Sequence, residues 1–299
     1  MSHIFDALRR SEAERSGAEP TAFSIATELL EAAEQKALAP VSVPDPDYGR
    51  PTGLATLDQC PTIAAGILPE SRLVAVAKDN DLAAEKFRFL AVRLRQLRQT
   101  RPLKKVLITS TIPREGKSTV ASNLACILAR KKPQKTLLLD GDLRRPTVAD
   151  QFGLGQRPGL SEWLSGLTET TNIYRLESVG LWVFPAGRAA QNPLELMQSG
   201  KLSSLMEALC DRFDWIVIDS PPVLPLADTS IWAKMADGIL LVTRRGVTEK
   251  QHLERGLEAL EQSKLLGALV NDSADAVHND YYQRYYSPQS SPEDGPVKD

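Results

Sequence analysis

The stretch STIPREGKST, Ser110 to Thr119, follows a short apolar run and opens a helical pattern. Gly-Lys-Ser at the start of a helix suits phosphate chemistry. Backbone N–H groups and the helix N-terminus face the phosphate oxygens, Lys117 reaches the β/γ oxygens, and the Ser118 hydroxyl takes Mg2+. Pro113, Arg114, Glu115, Gly116, Lys117, Ser118 and Thr119 are therefore the candidate ATP-binding residues. The pattern G-x-x-x-x-G-K-[ST] fails at its first position, which is Thr111. A chance Gly-Lys-Ser is the competing reading, and a strand pattern before it with a helix pattern after it argues against chance.

Carboxylates supply a second constellation. LLLDGDLRRP sets Asp140 and Asp142 two positions apart after an apolar run, and WIVIDSPP ends another run with Asp219. An acid at the carboxyl end of a strand, beside a phosphate loop, can hold Mg2+ directly or through water. One such Asp alone is more often a helix cap or a turn residue. Three at one edge, with Lys117, favour a site. The expected metal set is Ser118, Asp142 and Asp219, and the expected catalytic set is Lys117, Asp140 and Asp142.

Six short apolar runs must position these groups: KVLITS (105–110), KTLLLD (135–140), LWVFPAG (181–187), DWIVID (214–219), DGILLVTR (237–244) and LLGALVN (265–271). Helical patterns separate most of them. Strands that are apolar throughout are buried on both faces, so the expected fold is α/β, a P-loop NTPase-type mostly parallel sheet with helices on both faces. Ligands of such sheets bind beyond the carboxyl ends of the strands, where Lys117 and the three acids fall. Residues 82–99 read as a basic helix with Phe87, Leu90, Leu94 and Leu97 on one stripe. It has no interleaved aromatics for base stacking, and nucleic acid is set aside as a partner.

Residues 1–70 read as a largely disordered linker arm with short helices, 71–275 as the nucleotide-binding domain and 276–299 as a flexible tail. The chain's net charge of −2 gives no pull toward nucleic acid or anionic lipid, and its three dispersed cysteines show no metal-ligand spacing. No apolar run reaches the ~18 residues of a membrane span. A cytoplasmic protein is expected, with any membrane association through a partner.

Three segments now combine: S-x-x-P-x-E-G-K-S (Ser110 to Ser118), D-x-D-x-R-R-P (Asp140 to Pro146) and D-x-P-P (Asp219 to Pro222). With GLSEWLSG, NPLELMQS and PLADTSIWAKMADGILLV between them, they resemble the bacterial tyrosine kinase family, the autokinases of capsule and exopolysaccharide synthesis. The resemblance spans roughly residues 80 to 286. It implies an ATP- and Mg2+-dependent protein-tyrosine kinase, and it gives the tail a role. Four of the chain's six tyrosines, Tyr281, Tyr282, Tyr285 and Tyr286, cluster there, and the resemblance makes them autophosphorylation sites offered to a neighbouring subunit. The competing reading is an aromatic patch packed on the domain. The resemblance further implies that Asp140 or Asp142 accepts the tyrosine proton, with Asp140 the first choice, while the other supports Mg2+. Implied partners are a membrane-embedded polysaccharide chain-length-determinant (co-polymerase) protein as activator, a tyrosine phosphatase and a homo-oligomer, with recruitment to the inner face of the cell membrane. Lys117→Met is expected to abolish phosphorylation and leave the fold intact.

Several positions depart from the family pattern. Arg114 stands where glycine is usual, and the Glu85/Arg88 helix carries Ala91 where a second arginine of the ring-forming helix is expected. A MinD/ParA-type partitioning ATPase would carry its signature lysine at position 112, which is Ile112. A non-catalytic nucleotide-binding regulator is the other alternative, kept open by Thr111 and Arg114.

Overall fold

The computed structural model describes residues 56–272, apart from 68–70, 78–81, 132 and 225–226. The first 55 residues and the four tail tyrosines lie outside the described residues.

All six apolar runs form strands. In chain order the sheet contains β1 (Thr62–Ile63), β2 (Lys105–Ser110), β3 (Thr136–Asp140), β4 (Tyr174–Leu176), β5 (Leu181–Phe184), β6 (Trp215–Asp219), β7 (Gly238–Arg244) and β8 (Leu265–Asn271). Their spatial order is β1-β4-β5-β3-β6-β2-β7-β8, and every pairing is parallel except β4 with β5. The expected mostly parallel α/β sheet is therefore present. β1 and β4 are too short to leave a hydrophobic pattern in the sequence. Residues 57–67, which the sequence assigned to the arm, carry β1 and the buried Cys60.

The helices are α1 (Val74–Ala77), α2 (Leu82–Thr100), α3 (Lys117–Ala129), α4 (Val148–Gln151), α5 (Leu160–Leu164), α6 (Pro193–Met197), α7 (Lys201–Cys210), α8 (Asp228–Met235) and α9 (Lys250–Glu258). They cover both faces, and the period-2 geometry of a strand divides the core accordingly. Val106, Ile108, Leu138 and Val217 point to one side, where they meet Leu94 of α2 and Leu124 and Leu128 of α3. Leu107, Leu139, Ile216 and Ile218 point to the other, against Leu205 and Leu209 of α7 and Trp232 of α8. Each such fully buried aliphatic side chain contributes about 1.5–3 kcal/mol, which fixes the register of the central strands.

That register sets the chemistry. β3 and β6 are neighbours with Asp140 opposite Asp219, and β2 flanks β6 on its other side with Ile108 opposite Asp219. The loop after β2 and the two acidic strand ends are thereby brought to one edge. On α2, Ala91 is fully buried and faces the core, while Phe89 is 76% exposed; Arg88 pairs with Glu85 at 2.7 Å.

Candidate functional site

The turn between β2 and α3 is built on two left-handed residues, Arg114 (φ 68°) and Gly116 (φ 92°). Glycine is required at 116: the conformation disfavours any side chain, and a Cβ would collide with the Asn271 amide. Six of the seven candidate ATP-binding residues line a cavity of about 580 Å3, whose other walls include Asp142, Arg144, Arg145 and Pro222.

Glu115 is the exception. It is fully buried and turned away from the cavity, accepting hydrogen bonds from Thr111 Oγ1 at 2.8 and 2.9 Å, from the Ile112 N–H at 3.0 Å and from Thr248 Oγ1. This accounts for threonine at position 111. Its hydroxyl anchors Glu115, and its methyl sits against Gly256 of α9, where a Cβ would collide with it.

Lys117 lies at the centre of an acidic cage. Its Nζ is 2.9 Å from Asp142 Oδ2, 3.6 Å from Asp219 Oδ1 and 3.1 Å from Ser118 Oγ. Burial alone would lower the lysine's pKa, but the charges on Asp219, Asp142 and Asp140 outweigh it and hold the ammonium above its usual range. Burial pushes the Asp219 carboxyl up, and Lys117 offsets this only in part. Both Asp219 oxygens are buried without a hydrogen-bond donor. The lysine is therefore also the counter-charge of buried acids, so Lys117→Met removes an ion partner as well as a phosphate contact.

Asp140 and Asp142, two residues apart, have different surroundings. Asp140 is fully buried; its Oδ1 accepts the Asp142 N–H at 3.1 Å, and its Oδ2 accepts those of Thr147 and Val148 at 3.2 and 3.1 Å. Burial and then the charge on Asp219 push its pKa up to about 8. It organises the loop 141–148 and does not line the cavity, whereas Asp142 does. Of the two, only Asp142 is within reach of a ligand in the cavity.

Close packing locks the acidic strand ends together. The Gly141 N–H donates to Asp219 O at 2.7 Å, and Trp232 Nε1 donates to Gly141 O at 3.1 Å. Arg144 makes a two-pronged pair with the buried Asp228 at 2.6 and 3.1 Å, joining the same loop to α8. Asp228, Thr248 and Asn271 carried no signal in the sequence, because their partners are far away along the chain. Arg144 and Arg145 were visible only as part of D-x-D-x-R-R-P.

The donor set of Ser118, Asp142 and Asp219 fits Mg2+. All are hard oxygen ligands, two of them belong to a carboxylate with no hydrogen-bond donor, and Mg2+ is commonly held by one or two carboxylates plus substrate phosphates. Among the described residues no three His, Cys, Asp or Glu side chains form a dedicated metal cage.

No protein-family model matches the chain. Among curated proteins, tyrosine-protein kinase YwqD of Bacillus subtilis (strain 168) is 35% identical over 215 residues, which is 71% of this chain and 90% of the relative. Tyrosine-protein kinase CpsD of Streptococcus agalactiae serotype Ia is 37% identical over 174 residues, 57% of this chain and 75% of the relative. Among solved structures, the chimerical protein CapA2B2 superposes with a TM-score of 0.64 at 30% identity, covering 76% of this chain and 98% of its own. The kinase domain of the Escherichia coli tyrosine kinase ETK gives 0.64 at 28% identity, covering 74% and 86%. No described helix is long and apolar enough to cross a membrane.

Proposed function

This chain belongs to the bacterial tyrosine-protein kinase family, and from that premise we propose that it transfers the γ-phosphoryl group of ATP to Tyr281, Tyr282, Tyr285 and Tyr286 of a neighbouring copy. The resulting change of tail charge regulates capsule or exopolysaccharide synthesis. The observation that carries the reading is the Lys117 cage, which gathers a lysine, a hydroxyl and two acids at the N-terminus of α3, on the wall of a cavity large enough for a nucleotide.

Ser118 and Asp219 would hold Mg2+, which when bound neutralises charge on the β- and γ-phosphate oxygens. Lys117 leaves its cage for the phosphates and stabilises the charge that develops as the phosphoryl group moves. The tyrosine oxygen bonds to the γ-phosphorus, the bond to the bridging oxygen of ADP breaks, and the phenol proton passes to a carboxylate. Our choice for that acceptor is Asp142, a reading supported by its position on the cavity wall and by the loss of its lysine partner when Lys117 moves to the phosphates. Asp140 holds the loop that presents Asp142. The alternative of a partitioning ATPase lacks its signature lysine at Ile112 and gives the tail tyrosines no role.

The activator in this reading is a membrane-embedded co-polymerase, which places the chain at the inner face of the membrane; a tyrosine phosphatase resets it. A peptide from the activator's cytoplasmic end is expected to raise self-labelling several-fold, and labelling that ignores such a peptide removes this part. The central test is mass spectrometry after incubation with Mg-ATP. Phosphate is expected on the four tail tyrosines and not on Tyr174, which is buried and donates its hydroxyl to Pro158 O at 3.2 Å. Phosphate confined to residues outside 281–286 would sink the proposal.

A further inference from the structure

We infer that Asn271, the last residue of β8, is a positioning residue for the phosphate loop; the inference rests on the nucleotide-binding reading above. Asn271 Nδ2 donates to the Glu115 carbonyl at 3.0 Å. Its Oδ1 accepts the Asp272 N–H at 2.9 Å, which settles which end of the amide is the donor facing the loop. The Asn271 carbonyl in turn accepts the Arg245 N–H at 3.1 Å, and Arg244 grips Asp272 at 2.8 and 3.1 Å.

Glu115 is therefore held at both ends by the same edge of the sheet. Its main-chain carbonyl is fixed from β8 by Asn271. Its buried carboxylate is fixed from the turn after β7 by Thr248, whose Oγ1 also accepts the Arg244 N–H at 2.8 Å. The residues that follow, Gly116, Lys117 and Ser118, are among those that line the cavity. A peptide carbonyl released from its donor can rotate, and rotation at Glu115 would swing the Gly116 N–H out of the cradle. The strand that leads directly into the tyrosine tail is thus part of the phosphate site.

Two ligands separate this role from recognition of the nucleotide base: Mg-ATP and Mg-tripolyphosphate, which has no base. Binding is measured by calorimetry on the full chain at a temperature where each variant is folded by circular dichroism. Asn271→Ala is expected to weaken both ligands by the same factor, about three- to tenfold for one hydrogen bond. Asn271→Asp, nearly the same shape but with an oxygen facing the Glu115 carbonyl, is expected to do the same and covers the case in which the alanine variant does not fold. Val270→Ala, an exposed neighbour on the same strand, is expected to bind like the parent. Loss of ATP affinity with tripolyphosphate unchanged would show that Asn271 reads the base and overturns the inference. Unchanged binding of both ligands, or an equal loss in Val270→Ala, overturns it as well. If the parent chain binds neither ligand, the kinase reading falls together with this one; if it binds both and only the Asn271 effect is missing, the kinase reading stands.

Discussion

Lys117 has two proposed duties, and they can be separated by experiment. As a phosphate ligand it affects only turnover; as the counter-ion of Asp142 and Asp219 it affects the folded state itself. Removing one partner from a buried ion cluster leaves uncompensated charge and costs about 3–5 kcal/mol. Lys117→Met is accordingly expected to abolish labelling and also to lower the urea midpoint, with millimolar Mg2+ restoring part of the lost stability because it supplies positive charge to the same oxygens. A midpoint equal to that of the parent would show that the ammonium is not what stabilises the acids. Asp219→Asn removes one negative charge, so the ion balance with Lys117 improves while metal binding suffers. That variant is expected to stay folded, label itself poorly and lose the steep Mg2+ dependence of the parent in a metal titration. An unaltered titration would remove Asp219 from the metal set.

Among the elements, the decisive contact is between the ends of β3 and β6 and helix α8. Gly141 lets two backbones and a ring approach one another: a Cβ there would stand 2.7 Å from the Trp232 ring and 2.9 Å from Asp219 O. Neither neighbour can yield, since Trp232 is fully buried and Asp219 O accepts the Gly141 N–H. Gly141→Ala is expected to cost about 1–3 kcal/mol by overpacking, and to reduce self-labelling at temperatures where the variant is still folded, because Asp142 and Asp219 are pushed apart. Thermal denaturation and labelling of the same preparation check both; a fully active, destabilised variant would show that the acids tolerate displacement. A similar tie acts on the other face of the sheet. The buried Asn123 of α3 accepts the Ala75 N–H at 2.9 Å and donates to Arg72 O and Thr119 O at 3.1 and 2.8 Å, fastening α1 to the phosphate-loop helix.

For the whole molecule, the open question is which chain's tail enters which site. β8 ends at Asn271, ten residues before Tyr281, and ten residues reach at most ~35 Å. Reach alone permits entry into the chain's own site. Entry into a neighbour needs no reversal of the tail over its own domain, and transfer between chains is the expected outcome. Mixing an Asp219→Asn chain that keeps its tail with an active chain whose four tail tyrosines are Phe decides it. Phosphate on the Asp219→Asn chain above the level it reaches when incubated alone establishes transfer between copies, while no rise above that level beside a self-labelling parent means transfer within one copy. Each phosphate adds about −1.5 to −2 charges, so full modification is also expected to weaken self-association, measurable by sedimentation.

Features that depend on short-range pattern were legible in the chain alone. Six continuous apolar runs specify strands buried on both faces, and Gly116-Lys117-Ser118 after the first of them specifies a phosphate loop. Asp140, Asp142 and Asp219 could be placed at one edge because acids that end parallel strands must fall there. The folded sheet alone distinguishes the surroundings of these acids. Asp140 and Asp142 are chemically identical and two residues apart, yet one is enclosed by backbone N–H groups and the other faces the cavity. Glu115 looked like a loop residue and proved to be a buried anchor, because its partner Thr248 lies 133 residues away. Separations of 156 residues from Glu115 and 84 from Arg144 likewise hid the contacts of Asn271 and Asp228. Hydrogen bonds between remote strand ends leave no periodicity in the chain, and they exist only once the sheet has set its order.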